Sequence, residues 1–271
     1  MSRTVHTLVI AGFGTNGEAE CAQAAKLAGS DGTTIAHFTD IASGRIRLAA
    51  YNFLIFPGGF LDGDELGAAQ AAAVRWQHAA SVRGARLIDQ LLGLVNSGGI
   101  ILGIGNGFQL LAKLGLLPAL DNRYLHRQVA LAHNASARFE TRWCALTVNA
   151  ESPCVFTKGI TQMCLPVRHR EGRLVPDSGD ILARLEKEQL VALRYADPKT
   201  LEPTQEYPFN PSNSPNAIAG LTTPNGRILG LMPHPEAYIH PASHPGWTRG
   251  ESAPPGWELL ANGVRALRCG E

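Results

Sequence analysis

Several things are scarce in this chain, and each scarcity excludes something. The 271 residues include five cysteines, Cys21, Cys144, Cys154, Cys164 and Cys269. Their odd number and the lack of any Cys-x-x-Cys spacing speak against a disulfide framework, and nothing marks a metal site. Reduced thiols packed as small apolar side chains are expected instead. Charge of one sign is also missing, since 24 Lys and Arg against 23 Asp and Glu leave a formal charge of +1. No run of Lys or Arg exceeds two residues, so there is no footprint for nucleic acid, and a small neutral or zwitterionic substrate fits better. No apolar stretch approaches the roughly 18 residues of a membrane span. The apolar run at residues 5–11 lacks the small-residue cleavage site of a secretion signal, so a cytoplasmic location is expected. Repeats, low-complexity segments and linkers are absent, which makes one domain over residues 1–271 the simplest reading. What is present is apolar mass: 45% hydrophobic and 17% charged residues can bury a full core.

The first half alternates strand-like and helix-like segments, the pattern of a parallel sheet with helices on its faces. Residues 5–11, 33–38, 52–56 and 100–104 read as buried strands. Residues 18–27, 64–80, 86–96 and 106–114 read as helices by apolar spacing, the last stopped by Gly115. From Gln128 onward the runs are shorter. Residues 144–148, 163–167 and 191–195 suggest antiparallel strands beside the main sheet, interrupted by a helix at 179–186. Residues 197–215, rich in proline, form an ordered loop. Residues 217–222 and 227–232 then read as a hairpin turning at Asn225-Gly226 and delivering Pro233-His234-Pro235-Glu236.

Three local features could carry chemistry. Gly103-Ile104-Gly105-Asn106-Gly107 lies between a buried strand and a helix, the setting of a nucleophile elbow, whose strained turn lifts a central side chain above the sheet. Here the central residue is Gly105, which has nothing to lift, and a close-packed glycine turn would look the same. Pro57-Gly58-Gly59-Phe60 follows another buried strand, so the Gly59 and Asn106 amides could together stabilise a developing oxyanion. Glycines in a strand-to-helix turn are common, and alone this signal is weak. His234-Pro235-Glu236 follows the last strand, and a histidine two residues from a carboxylate can be a base with its orienting partner. Isolated His-x-Glu pairs are more often ordinary surface.

Their order gives them weight. A Gly-Gly turn, an elbow and a C-terminal His-x-Glu resemble the class I glutamine amidotransferases, specifically the glutaminases of phosphoribosylformylglycinamidine synthases in purine biosynthesis. Further matching segments are Gly14-Thr15-Asn16-Gly17, His37-Phe38-Thr39-Asp40, Gly63-Asp64, Asn106-Gly107-Phe108-Gln109, Asn134 with Arg138-Phe139-Glu140, His169 with Glu171-Gly172-Arg173, and Ser214-Pro215-Asn216. The resemblance implies the flavodoxin-like α/β fold of that class, a central mostly parallel sheet flanked by helices with an added antiparallel region. It also implies a thiolate attacking the glutamine side-chain amide, His234 as base and as proton donor to departing ammonia, and Glu236 fixing the His234 tautomer. Gly59 and Asn106 would form the oxyanion hole, with Gln109 and Asn134 near the glutamine pocket. Ammonia would pass to a formylglycinamide ribonucleotide synthetase subunit acting in trans. ATP and Mg²⁺ are expected on that partner, with no cofactor in this chain, and a small bridging subunit is conceivable.

The departure from the family is Gly105 itself. Without a thiol there no glutamyl thioester can form, so the chain is expected to be inactive as a glutaminase. A nucleophile relocated to Cys144 or Cys164 is a weaker alternative, as both lie in strands far from the elbow in sequence. A non-catalytic glutamine-binding scaffold is a second reading, favoured by Gly105 and opposed by the retained His234, Glu236 and Gly59. A third comes from Gly12-Phe13-Gly14-Thr15-Asn16-Gly17, a literal G-x-G-x-x-G after the first strand, with Asp40 placed as a ribose-binding acid would be. That dinucleotide reading leaves the Gly-Gly turn, the elbow and His-Pro-Glu unexplained.

Overall fold

The structure is a computed structural model that describes residues 3–82 and 84–270. The first half runs β1 (His6–Ala11), α1 (Glu18–Leu27), β2 (Gly32–His37), the short α2 (Phe38–Ala42), β3 (Phe53–Phe56), α3 (Gln70–His78), α4 (Leu87–Asn96), β4 (Ile100–Ile104) and α5 (Asn106–Lys113). β3 and β4 are buried over their full length. They are therefore unbroken apolar runs rather than alternating ones, as befits strands covered on both faces. The second half adds β5 (Val129–Ala132), β6 (Glu140–Val148), β7 (Gln162–His169), β8 (Arg173–Pro176), α6 (Gly179–Lys187), β9 (Val191–Ala196), β10 (Ile218–Thr222), β11 (Ile228–Leu231) and α7 (Trp257–Cys269).

Nine strands form one sheet in the order β2-β1-β3-β4-β11-β10-β9-β6-β7. The strands from β2 to β11 pair in parallel, and those from β11 to β7 antiparallel. The antiparallel strands thus extend the main sheet instead of lying beside it, because β11 returns parallel to β4 while its hairpin partner β10 carries the ladder outward. β5 and β8 make a separate antiparallel ribbon. On one face Leu54, Phe56 and Ile101 pack with Trp76, Leu91, Phe108 and Leu111 of α3, α4 and α5. On the other, Phe53, Ile55 and Leu102 pack with Cys21 and Ala24 of α1 and Leu260 and Val264 of α7.

Local expectations needed three corrections. The helix expected over 64–80 begins only at Gln70, because Gly63, Gly67 and Ala69 take positive φ and keep the preceding segment in turns. The strand expected over 33–38 ends at His37, whose side chain and Asp40 cap α2 reciprocally. Among the cysteines, Cys21, Cys144 and Cys154 are buried, but Cys164 is partly exposed and Cys269, at the end of α7, is exposed. No helix among the described residues is long and apolar enough to cross a membrane.

Candidate active site

The site forms where two neighbouring parallel strands end. β11 pairs with β4 in the register Gly230 with Gly103 and Leu231 with Ile104, so the residues that follow each strand emerge side by side. After β4 the chain turns into α5 through Gly105 alone, at φ 51 and ψ −108. The Gly105 N–H donates to the Leu231 carbonyl at 2.8 Å and its carbonyl accepts from Gln109 N–H at 3.1 Å, tying the elbow to β11 and to the first turn of α5. After β11, the His234 N–H donates to the Pro166 carbonyl at 2.8 Å.

His234 and Glu236 are 7% and 4% exposed and meet through Nδ1 and Oε1 at 2.7 Å. A carboxylate only accepts, so Nδ1 carries the hydrogen, and in the neutral ring Nε2 is the lone pair. That Nε2 is buried and has no partner. A Cβ on Gly105 would stand 3.1 Å from both Nε2 and Cε1 of His234. The unpartnered Nε2 of an oriented histidine therefore faces the elbow position held by Gly105. Glu236 also lies against Gly17, whose Cβ would be 3.4 Å from Oε1, at the start of α1 where the helix terminus favours a carboxylate.

The Gly58-Gly59 turn after β3 closes the other side. Gly59 has φ 125, and a Cβ there would be 2.4 Å from the Gly14 carbonyl oxygen. The two glycine turns are fastened together by Asn16 N–H to Gly58 carbonyl at 2.9 Å and Phe60 N–H to Gly14 carbonyl at 2.7 Å. Gly12 N–H donates to Thr15 Oγ1 at 3.1 Å, and Thr15 N–H to the Gly12 carbonyl at 3.2 Å. The Gly12 and Thr15 amides are thus engaged within their own turn, and the Asn16 amide braces the Gly58-Gly59 turn, rather than being open to a pyrophosphate. Asp40 caps α2 and pairs with Arg45. Both halves of the dinucleotide motif have local structural uses.

A cleft of about 360 Å³ runs past Gly17, Gly59, Phe60, Phe139, His234 and Glu236. It adjoins a recess of about 20 Å³ lined by Gly59, Asp64, Asn106, Gln109, His169, Glu171 and His234 among others. Gly59, Asn106 and Gln109 are therefore brought to His234. Asn134 is not: its buried amide holds its own loop against residues 169–172, one layer behind His169. None of the five cysteines lines either space. Burial pushes the Cys144 thiol up to about 12 and the Cys164 thiol up to about 11, which keeps both protonated. A relocated nucleophile finds no support. Asp64, His169 and Glu171 were visible in sequence only as matching segments, without a role, because their gathering depends on three separate loops.

Residues 4–265 match the family described as the CobB/CobQ-like glutamine amidotransferase domain. The chain is similar to the phosphoribosylformylglycinamidine synthase subunit PurQ of Methanococcus maripaludis, 40% identical over 88% of this chain and 85% of that one. The PurQ subunit of Dehalococcoides mccartyi is 39% identical over 90% of this chain and 89% of its own length. Among solved structures, a chain of PurLQS from Thermotoga maritima superposes with a TM-score of 0.70 at 23% identity, covering 98% of this chain and 100% of that one. That likeness shows the fold, and the sequence matches show the lineage. The chain belongs to the class I glutamine amidotransferases, on the branch of the glutaminase subunits of phosphoribosylformylglycinamidine synthase.

Proposed function

We propose that this chain is the glutamine-handling component of a phosphoribosylformylglycinamidine synthase. The observation that carries the reading is the buried His234–Glu236 pair, whose free Nε2 faces position 105 at the elbow. Glutamine enters the cleft with its side-chain carbonyl carbon over position 105 and its oxygen toward the amides of Gly59 and Asn106. In the family's reaction a thiolate attacks that carbon, the C–N bond of the tetrahedral intermediate breaks, and His234 protonates the departing ammonia. Water then hydrolyses the thioester to glutamate. Ammonia goes to formylglycinamide ribonucleotide on a separate synthetase subunit that carries ATP and Mg²⁺, with a small bridging subunit as part of the assembly.

Gly105 interrupts this sequence. Loss of the nucleophile from a coupled triad costs about a millionfold in rate. The chain as it stands binds glutamine without cleaving it. With the synthetase and ATP present, ammonium salts are expected to support amidine formation and glutamine is not. Gly105→Cys is expected to restore glutamate release, measured by a coupled glutamate assay. A parent chain that releases glutamate within about a hundredfold of the Cys variant would overturn the assignment of position 105.

A further inference from the structure

Glycine at the elbow removes one side chain and leaves the base and the two amides around it in place. A Cβ built on Gly105 would stand 3.1 Å from both Cε1 and Nε2 of His234, with Gly58 Cα next at 3.8 Å. A carbon 3.1 Å from a ring atom is inside ordinary contact distance. The edge of the imidazole therefore faces the elbow directly, and its Nε2 is buried without a partner. Glu236 Oε1, 2.7 Å from Nδ1, fixes the ring hydrogen on the other nitrogen. Asp64 Oδ1 and His169 Nε2 also lack partners, but neither is among the atoms nearest position 105. His234 is the base that a nucleophile at the elbow would meet.

The room beside that base is small. The recess of about 20 Å³, lined by Gly59, Asn106 and His234 among others, admits one water-sized group and adjoins the larger cleft. Arg168 and Arg170 line it alongside Asp64 and Glu171, so its charge is not of one sign and does not bar a small anion. A nucleophile of a single heavy atom can stand there beside a glutamine held in the cleft.

We propose that this site takes its nucleophile from solution, and that hydrosulfide is the one it fits, giving the chain a sulfide-dependent glutamine-cleaving activity. The proposal rests on the glutaminase reading above. Hydrosulfide supplies the sulfur of the family's thiolate without the carbon that would press on the His234 ring. It is ionised at neutral pH, and the ionised form is the one that attacks. Water is as small but is scarcely ionised there. The sulfur bonds to the side-chain carbonyl carbon of glutamine, and the carbonyl π pair moves onto oxygen, which the Gly59 and Asn106 amides hold. His234 Nε2 takes the S–H proton and passes it to the amide nitrogen. The C–N bond breaks with its electron pair going to nitrogen, and the carbonyl re-forms. Glutamine and HS⁻ thus become ammonia and glutamate γ-thiocarboxylate, with no net proton or electron consumed. The family's thioester stays tethered until water cleaves it, whereas this product is a free anion that leaves as it is.

The full chain would be incubated with glutamine and sodium sulfide at neutral pH, with ammonia and the thiocarboxylate quantified by mass spectrometry. Ammonia release is expected to rise with sulfide to about 100-fold or more above the protein-free rate, with an equal amount of thiocarboxylate. His234→Gln should lower the response about 100-fold. The bulkier 2-mercaptoethanol, at equal thiolate concentration, should give less than about a tenth of it. Gly105→Ala, which sets a methyl group against the ring, should lose the response, and if that variant does not fold, His234→Gln carries the test. A parent no faster than the protein-free reaction, while Gly105→Cys releases glutamate, would overturn the proposal. So would a response unchanged in His234→Gln, an equal response to 2-mercaptoethanol, or glutamate in place of the thiocarboxylate. No release from either the parent with sulfide or Gly105→Cys alone sinks the glutaminase reading, and this proposal with it.

Discussion

Gly105 sits at φ 51 and ψ −108, a conformation in which a side chain costs roughly 1 to 3 kcal/mol. A Cβ there would also press on the His234 ring at 3.1 Å. Replacing glycine removes freedom from the unfolded chain, which stabilises by about 0.4 to 1 kcal/mol where the backbone tolerates it. The strain is the larger effect. Gly105→Cys is therefore expected to lower the unfolding free energy by about 1 kcal/mol while creating activity, and urea melts under reducing conditions will show it. Equal or greater stability in the Cys variant would mean that the elbow is not strained. At this scale the sequence was legible wherever a residue's position in the cleft follows from its place after a strand, as with Gly59, Gly105 and His234. Asp64 and His169 were not legible, since what distinguishes them is an unpaired atom, which no spacing encodes. Gln109 and Asn134 looked alike in sequence, yet only Gln109 reaches the recess, because the Asn134 amide is used up within its loop.

The seating of α5 explains why the elbow needs more than one glycine. A Cβ on Gly107 would lie 2.0 Å from the Phe56 carbonyl oxygen, and one on Gly103 would lie 2.9 Å from the Gly107 carbonyl group. The helix thus rests on β3 and β4 at backbone contact. Gly107→Ala should push α5 off the sheet, costing on the order of 3 kcal/mol in chemical melts. In the Gly105→Cys background it should also cost about 100-fold in glutamate release, since a shift near 1 Å misplaces the nucleophile. Gly93, inside α4, is the contrast: a Cβ there meets nothing within 4 Å. Gly93→Ala should stabilise by about 0.5 to 1 kcal/mol, and a loss of stability would contradict the open space around it. Of the elements readable almost to the residue, β4 stood out as an unbroken apolar run and α6 by its apolar periodicity. The segment before α3 misled because its composition suits a helix while its positive-φ residues do not, and β5 and β8 are too short to stand out.

Across the whole molecule, burial of His169 links stability to pH. Its pKa is lowered from 6.5 to about 3 in the folded chain. Below about pH 6.5 the unfolded chain takes up a proton that the native state refuses, so the stability is full above that pH and is lost as pH falls toward 3. The slope approaches about 1.4 kcal/mol per pH unit. Urea midpoints at pH 7 and pH 5 should differ more in the parent than in His169→Gln, and equal differences would show that the ring does not titrate as described. The strand order across the sheet could not be read in advance, because periodicity reports which residues are buried and not which strands become neighbours. That order also bears on synthesis. β11 is the last strand in the chain, yet it lies fifth of the nine across the sheet. On the ribosome the nascent chain must carry two half-sheets with open edges at β4 and β10 until their central seam arrives. The strand that closes the seam also delivers His234, so binding competence switches on late and at once, rather than building up as the polypeptide lengthens.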